Sequence, residues 1–118
     1  MGYRSDVCLC IEKNKASELN ARNTMGNVTE AWVLFRDDAG IFEYYEDHNS
    51  FLVWSTYGVK WYPDYEDIQA VHKILDDLDA ENPNLYGMIR IGEEVDDIEE
   101  WGEPWEFGLH VERGFSIG

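Results

Sequence analysis

The segment after Pro63 carries the clearest secondary-structure signal in this chain. Its apolar residues recur at spacings of three and four: Ile68, Val71, Leu75 and Leu78. That spacing predicts an α-helix from residue 65 to about residue 80 with one apolar stripe, and Asp64 is placed to cap its first turn. Because such a stripe has to be buried against another layer, the helix requires the rest of the chain to supply a sheet.

Strand patterns before this helix supply part of that sheet. Residues 5–12 alternate with period two, and the alternation defines two faces: Val7, Leu9 and Ile11 on one, Cys8 and Cys10 on the other. Residues 41–47 and 51–62, joined by residues 48–50, predict a β-hairpin rich in aromatic side chains. In its second strand we expect five apolar or aromatic side chains to share one face: Phe51, Val53, Tyr57, Val59 and Trp61.

The remaining segments complete an α+β pattern. Asn14 can cap a short helix running toward residue 25. Thr29 can cap a second helix over residues 31–35, although Val33 and Phe35 would equally fit a strand. Residues 85–91 and 107–111 predict two further strands. This order of elements predicts a two-layer α+β sandwich formed by residues 1–118 as a single domain. We expect a mainly antiparallel sheet of about five strands with helices on one face.

The charge balance restricts the partners of this chain. Its 118 residues hold 25 acidic and 9 basic side chains, a formal net charge of −16, and 14% are aromatic. The first 36 residues, with five bases and four acids, carry +1, so the other 82 carry −17. Such a field repels phosphate backbones and attracts basic proteins, which disfavours direct DNA or RNA binding. So aromatic a composition indicates a folded domain and not a disordered acidic tail.

Sequence signatures of common activities are missing. The chain contains no glycine-rich nucleotide-binding motif, and its three histidines (His48, His72 and His110) have no zinc-ligand spacing. Cys8 and Cys10 lie at i and i+2 of a strand with diverging side chains, which favours packed thiols in a reducing compartment over a disulfide. We therefore predict no catalytic constellation, no metal and no cofactor. The chain also lacks a signal segment or a membrane-length apolar run, so we expect a cytosolic protein.

An acidic and aromatic segment follows Gly92. Residues 93–106 hold eight acids in fourteen positions. Val95, Ile98 and Trp101 fall at helical spacing, so a short amphipathic turn could pack them on the body of the protein. Alternatively, Trp101 or Trp105 or both stay exposed as anchors within a negative rim that docks on a basic partner.

Three blocks of the sequence resemble small acidic proteins encoded by tailed bacteriophages. They are residues 1–7 (MGYRSDV), residues 59–70 (VKWYPDYEDIQA), and residues 89–94 with 96–100 (IRIGEE and DDIEE). Together the blocks cover about a quarter of the chain, and no assigned catalytic residues come with the resemblance. It implies an accessory phage protein that works in the cytoplasm of an infected bacterium.

The leading functional hypothesis is a non-enzymatic protein that binds a basic, nucleic-acid-binding host protein. Its carboxylates would occupy the surface meant for phosphates, as a nucleic-acid mimic used against restriction, CRISPR or other defence systems. The predicted partner-binding residues are acids on the long helix, acids after it and two tryptophans: Asp64, Glu66, Asp67, Asp76, Asp77, Asp79, Glu93, Glu94, Asp96, Asp97, Glu99, Glu100, Trp101 and Trp105.

The alternative is a small ligand-binding domain or enzyme with a pocket on the sheet face. Its candidate polar groups are Cys8, Cys10, Tyr57, His72 and Arg90. That interpretation requires a concave pocket into which Arg90 or Lys60 points, since an anionic substrate needs one of the few cations. A homodimer built through the edge of the aromatic hairpin is compatible with either function. An acidic phage protein with some other role also stays open.

Overall fold

The computed structural model describes residues 2–16, 42–94, 96–111 and 115–117. The strands of this part are β1 (Ser5–Glu12), β2 (Tyr44–Asp47), β3 (Phe51–Val59), β4 (Tyr86–Ile91), β5 (Ile98–Gly102), β6 (Leu109–Val111) and β7 (Phe115–Ile117). The long helix α1 spans Glu66–Glu81, and short 3₁₀ helices span Pro83–Leu85 and Pro104–Phe107. The helices predicted after Asn14 and after Thr29 lie largely or wholly outside the described residues, although residues 13–16 are helical.

The strands β1 to β5 form one antiparallel sheet in the order β2-β3-β1-β4-β5. This confirms the predicted α+β class with a mainly antiparallel sheet of five strands. One member of the sheet differs from the prediction, because residues 107–111 do not join it. Instead β6 pairs with β7 in a separate two-stranded sheet, and β5 takes the outer position beside β4.

Each face of the five-stranded sheet has its own apolar cluster. On the helix side, Val7, Leu9 and Ile11 of β1 pack with Ile68, Val71, Leu75 and Leu78 of α1, which confirms the predicted stripe. On the opposite face, which we call the hairpin side, Cys8 and Cys10 pack with Leu109 and with side chains of the β6–β7 hairpin. Each fully buried Leu or Ile side chain stabilises the fold by about 1.5–3 kcal/mol, so the helix-side cluster contributes most of the hydrophobic stabilisation.

A β-bulge changes the facing of β3 near its end. The register between β1 and β3 shifts between Ser5 and Val7, and Gly58 adopts a φ of 64° with its N–H donating to the Asp6 carboxylate at 2.9 Å. An extra residue at a bulge turns the following side chains to the other face. The expectation of one shared face was therefore wrong: Phe51 and Val53 face the hairpin side, whereas Val59 and Trp61 pack on the helix side.

The start of α1 also differs from the prediction. Its N-cap is Tyr65, whose backbone is extended, and no side chain caps the first turn, so Asp64 does not have the predicted role. The helix ends where the backbone N–H of Asn82 donates to the Leu78 carbonyl at 2.8 Å. After this end the chain passes through the Pro83–Leu85 turn into β4. The helix α1 itself lies next to β5, and the candidate site is found there.

Candidate functional site

A cleft of about 460 Å³ opens where α1 passes the outer strand β5. Its lining residues come from five separate parts of the chain: Tyr3, Trp61, Pro63, His72, Arg90, Asp97, Glu99 and Trp101. Strand pairing explains much of this assembly, because Arg90 lies opposite Glu99 and Met88 lies opposite Trp101 in the β4–β5 ladder. Directly paired residues of antiparallel strands point to the same face, which here is the helix side.

Arg90 lies at the base of the cleft with only 7% of its surface exposed. Its guanidinium donates to Ser5 Oγ at 2.8 Å, to Asp97 Oδ1 at 2.6 Å and from Nε to Glu99 Oε1 at 2.8 Å. Burial acts to lower the pKa of Arg90, but the hydrogen bonds that Arg90 donates to Asp97 and Glu99 outweigh it and raise that pKa. The guanidinium therefore stays charged, and two carboxylates surround its single positive charge.

Asp97 is held in place from two sides. The Tyr3 hydroxyl donates to Asp97 Oδ2 at 2.6 Å and accepts the backbone N–H of Glu94 at 3.1 Å. The hydrogen bond from Tyr3, followed by that from Arg90, lowers the pKa of Asp97. A Cβ at Gly92 would collide with the Asp97 carboxylate and the Tyr3 hydroxyl, so this contact requires glycine there. Both oxygens of Asp97 are thus used inside the protein.

An aromatic wall forms the other side of the cleft. The His72 ring lies 5.0 Å from the Trp101 ring and 6.1 Å from the Trp61 ring, measured between centroids. Burial lowers the pKa of His72, although the charges of Asp76 and Glu99 act in the opposite direction. The imidazole is therefore neutral at neutral pH, and the carboxylates dominate the charge of the cleft.

The predicted acids lie on more than one side of the molecule. On α1, His72, Asp76 and Asp79 are spaced by four and three residues, which puts them on the side of the helix facing β5. Burial raises the pKa of Tyr86, and the charges of Asp79 and Asp76 raise it further. Burial lowers the pKa of His72, and the charges of Asp76 and Glu99 oppose that lowering. Glu100, by contrast, pairs opposite Ile89 and points to the hairpin side of the sheet. Only part of the predicted set therefore converges.

The remaining predicted acids occupy positions around this group. Asp64 precedes α1, Asp67 lies in its first turn, and Glu66 and Asp77 are exposed on it. The exposed acids of the segment between β4 and β5 are Glu93, Glu94 and Asp96. Asp97 of the same segment is partly buried at 31% exposure of its side chain, because Tyr3 and Arg90 bind it.

The two predicted tryptophans lie in different environments. The expected amphipathic turn at residues 95–101 is wrong, since Ile98–Gly102 is the strand β5. Trp101 is half-buried on the helix side, where it packs on His72. Trp105 lies in the Pro104–Phe107 turn, whose Phe107 packs on the hairpin side, and it is 68% exposed. Trp105 is thus the tryptophan of the two that stays available on the surface.

The polar groups proposed for a ligand pocket also separate. His72 and Arg90 line the cleft, but Cys8 and Cys10 are buried on the hairpin side of the sheet. A hydrogen bond with Cys8, followed by burial, raises the pKa of Cys10, which disfavours a reactive thiolate. Tyr57 contacts the rings of Tyr44 and Phe115, away from the cleft.

Neither a metal-ligand cluster nor a membrane-spanning helix lies within the described residues. Among residues 2–16, 42–94, 96–111 and 115–117, no three His, Cys, Asp or Glu side chains converge where they could hold a metal ion. No helix of that part of the chain has the length and apolar character needed to cross a membrane.

Sequence reasoning missed two aromatic components of the cleft. Tyr3 and Trp61 were not among the predicted site residues, because they lie far from β5 along the chain and only the folded sheet brings them together.

No protein-family model, no curated protein and no solved structure matches this chain. The resemblance to phage proteins stays a prediction, and the function rests on the geometry of the cleft and the acids around it.

Proposed function

We propose that this protein acts by binding a basic protein through an acidic flank on the side where α1 faces β5. The acidic flank consists of Asp76, Asp79, Asp97 and Glu99. One observation carries the proposal: His72 of α1 packs on Trp101 of β5, although the two residues are distant in sequence. This contact brings Asp76, on the same side of the helix as His72, close to Glu99, on the same face of the strand as Trp101. In a chain with a net charge of −16, such a flank attracts clustered lysines and arginines.

The partner class that fits this charge is a nucleic-acid-binding protein of a bacterial host. Such proteins carry clustered Lys and Arg that neutralise phosphates, and carboxylates can compete for the same surface. The resemblance to phage proteins adds the setting, the cytoplasm of an infected cell, and a partner from a defence system. The proposed mode of action is occupation of the nucleic-acid-binding surface, with no chemical conversion.

The polar groups of the cleft support binding over catalysis. Each of the three side-chain nitrogens of Arg90 already donates a hydrogen bond, to Ser5, Asp97 or Glu99, so the guanidinium offers little to an anionic substrate. Lys60, the other cation considered for a pocket, is exposed. The two thiols lie on the opposite side of the sheet from His72, so neither thiol can form a nucleophile–base pair with that imidazole.

Affinity capture from a bacterial extract tests the proposal when two matched variants are compared. The first is Asp76→Asn with Asp79→Asn, which neutralises the helix part of the acidic flank. The control is Glu43→Gln with Glu46→Gln, which removes the same charge beside and on β2, at the other edge of the sheet. We expect the wild type to retain basic proteins at about 50 mM NaCl and to release them by about 300 mM as screening increases.

The flank variant should bind the captured partner at least about tenfold more weakly, while the β2 control stays close to the wild type. Equal losses in the two variants would mean that the net charge alone, and not the acidic flank, drives association. Capture that does not respond to salt would contradict an electrostatic partner altogether.

A further inference from the structure

The cleft has the size and the walls of a recognition site. Its volume of about 460 Å³ accommodates a long side chain together with adjoining backbone. The walls include Tyr3, Trp61 and Trp101, with His72 between the two tryptophans. Aromatic faces attract a cation that lies within about 6 Å of the ring centre, and guanidinium groups do this most often.

The charges in the cleft select a cation over an anion. Arg90 contributes one positive charge, whereas Asp97 and Glu99 contribute two negative charges, and the carboxylate of Asp76 acts on the same wall. An anion entering the cleft would meet this negative excess and an arginine whose three side-chain nitrogens already donate to Ser5, Asp97 and Glu99. A cation meets a negative site with neutral aromatic walls.

One carboxylate oxygen remains available for such a cation. Asp97 uses Oδ1 for Arg90 and Oδ2 for Tyr3. Glu99 binds Arg90 through Oε1, and within the described part of the chain its Oε2 accepts no hydrogen bond. The Glu99 side chain is 52% exposed, so an incoming donor can reach it from the mouth of the cleft.

We propose that the cleft receives an arginine side chain of the basic partner, whose guanidinium stacks on the tryptophan wall and donates to Glu99. The inference rests on the proposed function and names the contact that the partner makes at this site. Arginine fits better than lysine because a planar guanidinium can stack on an aromatic ring and donate to a carboxylate at the same time. Lysine offers a compact, strongly hydrated charge that does only one of these well.

A nuclear magnetic resonance titration tests the inference without knowledge of the partner. The probe is the blocked tripeptide acetyl-Gly-Arg-Gly-amide, and the readout is the indole N–H signals of Trp61, Trp101 and Trp105. The matched probes carry citrulline, which has the shape of arginine without its charge, or lysine. We expect the arginine peptide to shift the Trp61 and Trp101 signals saturably at millimolar concentration and to leave the Trp105 signal in place. Citrulline should cause no saturable shift.

Two neighbouring glutamates supply the variant and its control. Glu99→Gln removes the proposed acceptor charge, whereas Glu100→Gln removes the same charge one residue away on the opposite face of β5. We expect Glu99→Gln to weaken binding of the arginine peptide at least about fivefold and Glu100→Gln to change it less than about twofold. Equal effects of the two substitutions, or equal shifts with citrulline, would overturn the inference. Equal affinity for the lysine peptide would overturn the assignment to arginine.

A second pair of variants covers the possibility that Glu99→Gln loosens the Arg90 ion pair and disturbs the fold. Trp101→Phe reduces the aromatic face inside the cleft, and Trp105→Phe makes the same change outside it. Trp101→Phe should weaken binding of the arginine peptide at least about threefold, and Trp105→Phe should leave that binding unchanged. If neither does, the aromatic wall takes no part and the inference fails.

The two proposals fail separately. Loss of partner capture in the Asp76 and Asp79 variant without peptide binding would keep the proposed function and remove the arginine site. Peptide binding without any dependence of capture on Asp76 and Asp79 would support the site and overturn the proposed function.

Discussion

At the scale of single residues, buried polar atoms without partners stand out. Thr56 Oγ1 and Trp61 Nε1 are buried and have no hydrogen-bond partner within the described residues. Leaving a buried donor or acceptor unpaired costs about 1–3 kcal/mol, so each is a weak point in the fold. Trp61 belongs to the wall of the cleft, whereas Thr56 lies opposite Val7 in the centre of the sheet.

Replacing Thr56 by Val should therefore stabilise the protein. The substitution keeps the branched shape and removes the unpaired hydroxyl, so we expect the free energy of unfolding in urea to rise by about 1 kcal/mol. Thr56→Ser is the matched control, because it keeps the hydroxyl and removes a methyl group, and it should lower that free energy by about 1 kcal/mol. A destabilised Val variant would mean that the hydroxyl has a partner outside the described residues.

The titration of His72 should make stability depend on pH. Because burial lowers the pKa of His72 below its ordinary value of 6.5, the unfolded chain takes up the proton first as the pH falls. The contribution of His72 to stability is therefore complete above 6.5, is lost as the pH drops through the window below it, and levels off under the folded-state pKa.

Denaturant unfolding between about pH 8 and about pH 5 measures this loss, and His72→Phe should lose less stability over that range. A proton resonance titration of the imidazole should give a midpoint below 6.5. A midpoint at or above that value would show that Asp76 and Glu99 outweigh burial.

At the scale of elements, regular periodicity separates what could be predicted from what could not. In β1 and α1 the apolar residues repeat at one period along the whole element, and both were placed from the sequence. The strand β5 is an outer strand, and its helix-facing positions are Glu99 and Trp101, so it has no continuous apolar face to detect. The bulge at Gly58 reversed the facing of β3 through one extra residue, a change that alternation alone cannot reveal.

The candidate site could be predicted from the sequence only in part. His72 and Arg90 were selected from the sequence as uncommon polar groups on an α-helix and a strand. Their neighbours Tyr3, Trp61 and Trp101 join them through the pairing of β4 with β5 and through the packing of α1, and no spacing in the sequence encodes these contacts.

Two glycines in the strands should tolerate alanine very differently. Gly58 and Gly102 both have positive φ, 64° and 68°, but a Cβ at Gly58 meets no atom within 4 Å. At Gly102 it would fall on the Tyr86 carbonyl oxygen and ring. We expect Gly58→Ala to cost about 1 kcal/mol and Gly102→Ala about 3 kcal/mol or more in urea unfolding. Similar costs would show that the backbone of β5 yields at Gly102.

At the scale of the whole molecule, the charge of −16 acts against compactness. The described bases offset part of it locally, as in the pair of Lys13 with Asp47 at 3.0 Å and in the contact of the buried Lys15 with Glu81. Most carboxylates have no such neighbour available, since acids outnumber bases 25 to 9. Mutual repulsion of these groups is greater in the folded than in the unfolded chain.

Added salt should consequently stabilise the protein. Raising NaCl from about 10 mM to about 150 mM screens the repulsion, so the midpoint of thermal unfolding should increase. The variant with Asp76→Asn and Asp79→Asn should start from a higher midpoint and gain less from salt. A midpoint that falls with salt would mean that ion pairs such as Lys13–Asp47 contribute more than repulsion removes.

The outer position of β5 has a consequence for how copies of this protein meet. Addition of a strand from another molecule would bring the side chains of Glu99 and Glu100 against further carboxylates, which discourages cross-molecular β-pairing near neutrality. Replacing both side chains by glutamine (Glu99→Gln with Glu100→Gln) removes this deterrent. Solutions should then turn turbid and bind amyloid dyes, and a Glu99→Lys, Glu100→Lys double variant should stay clear. The two glutamates of β5 therefore keep copies of this protein apart.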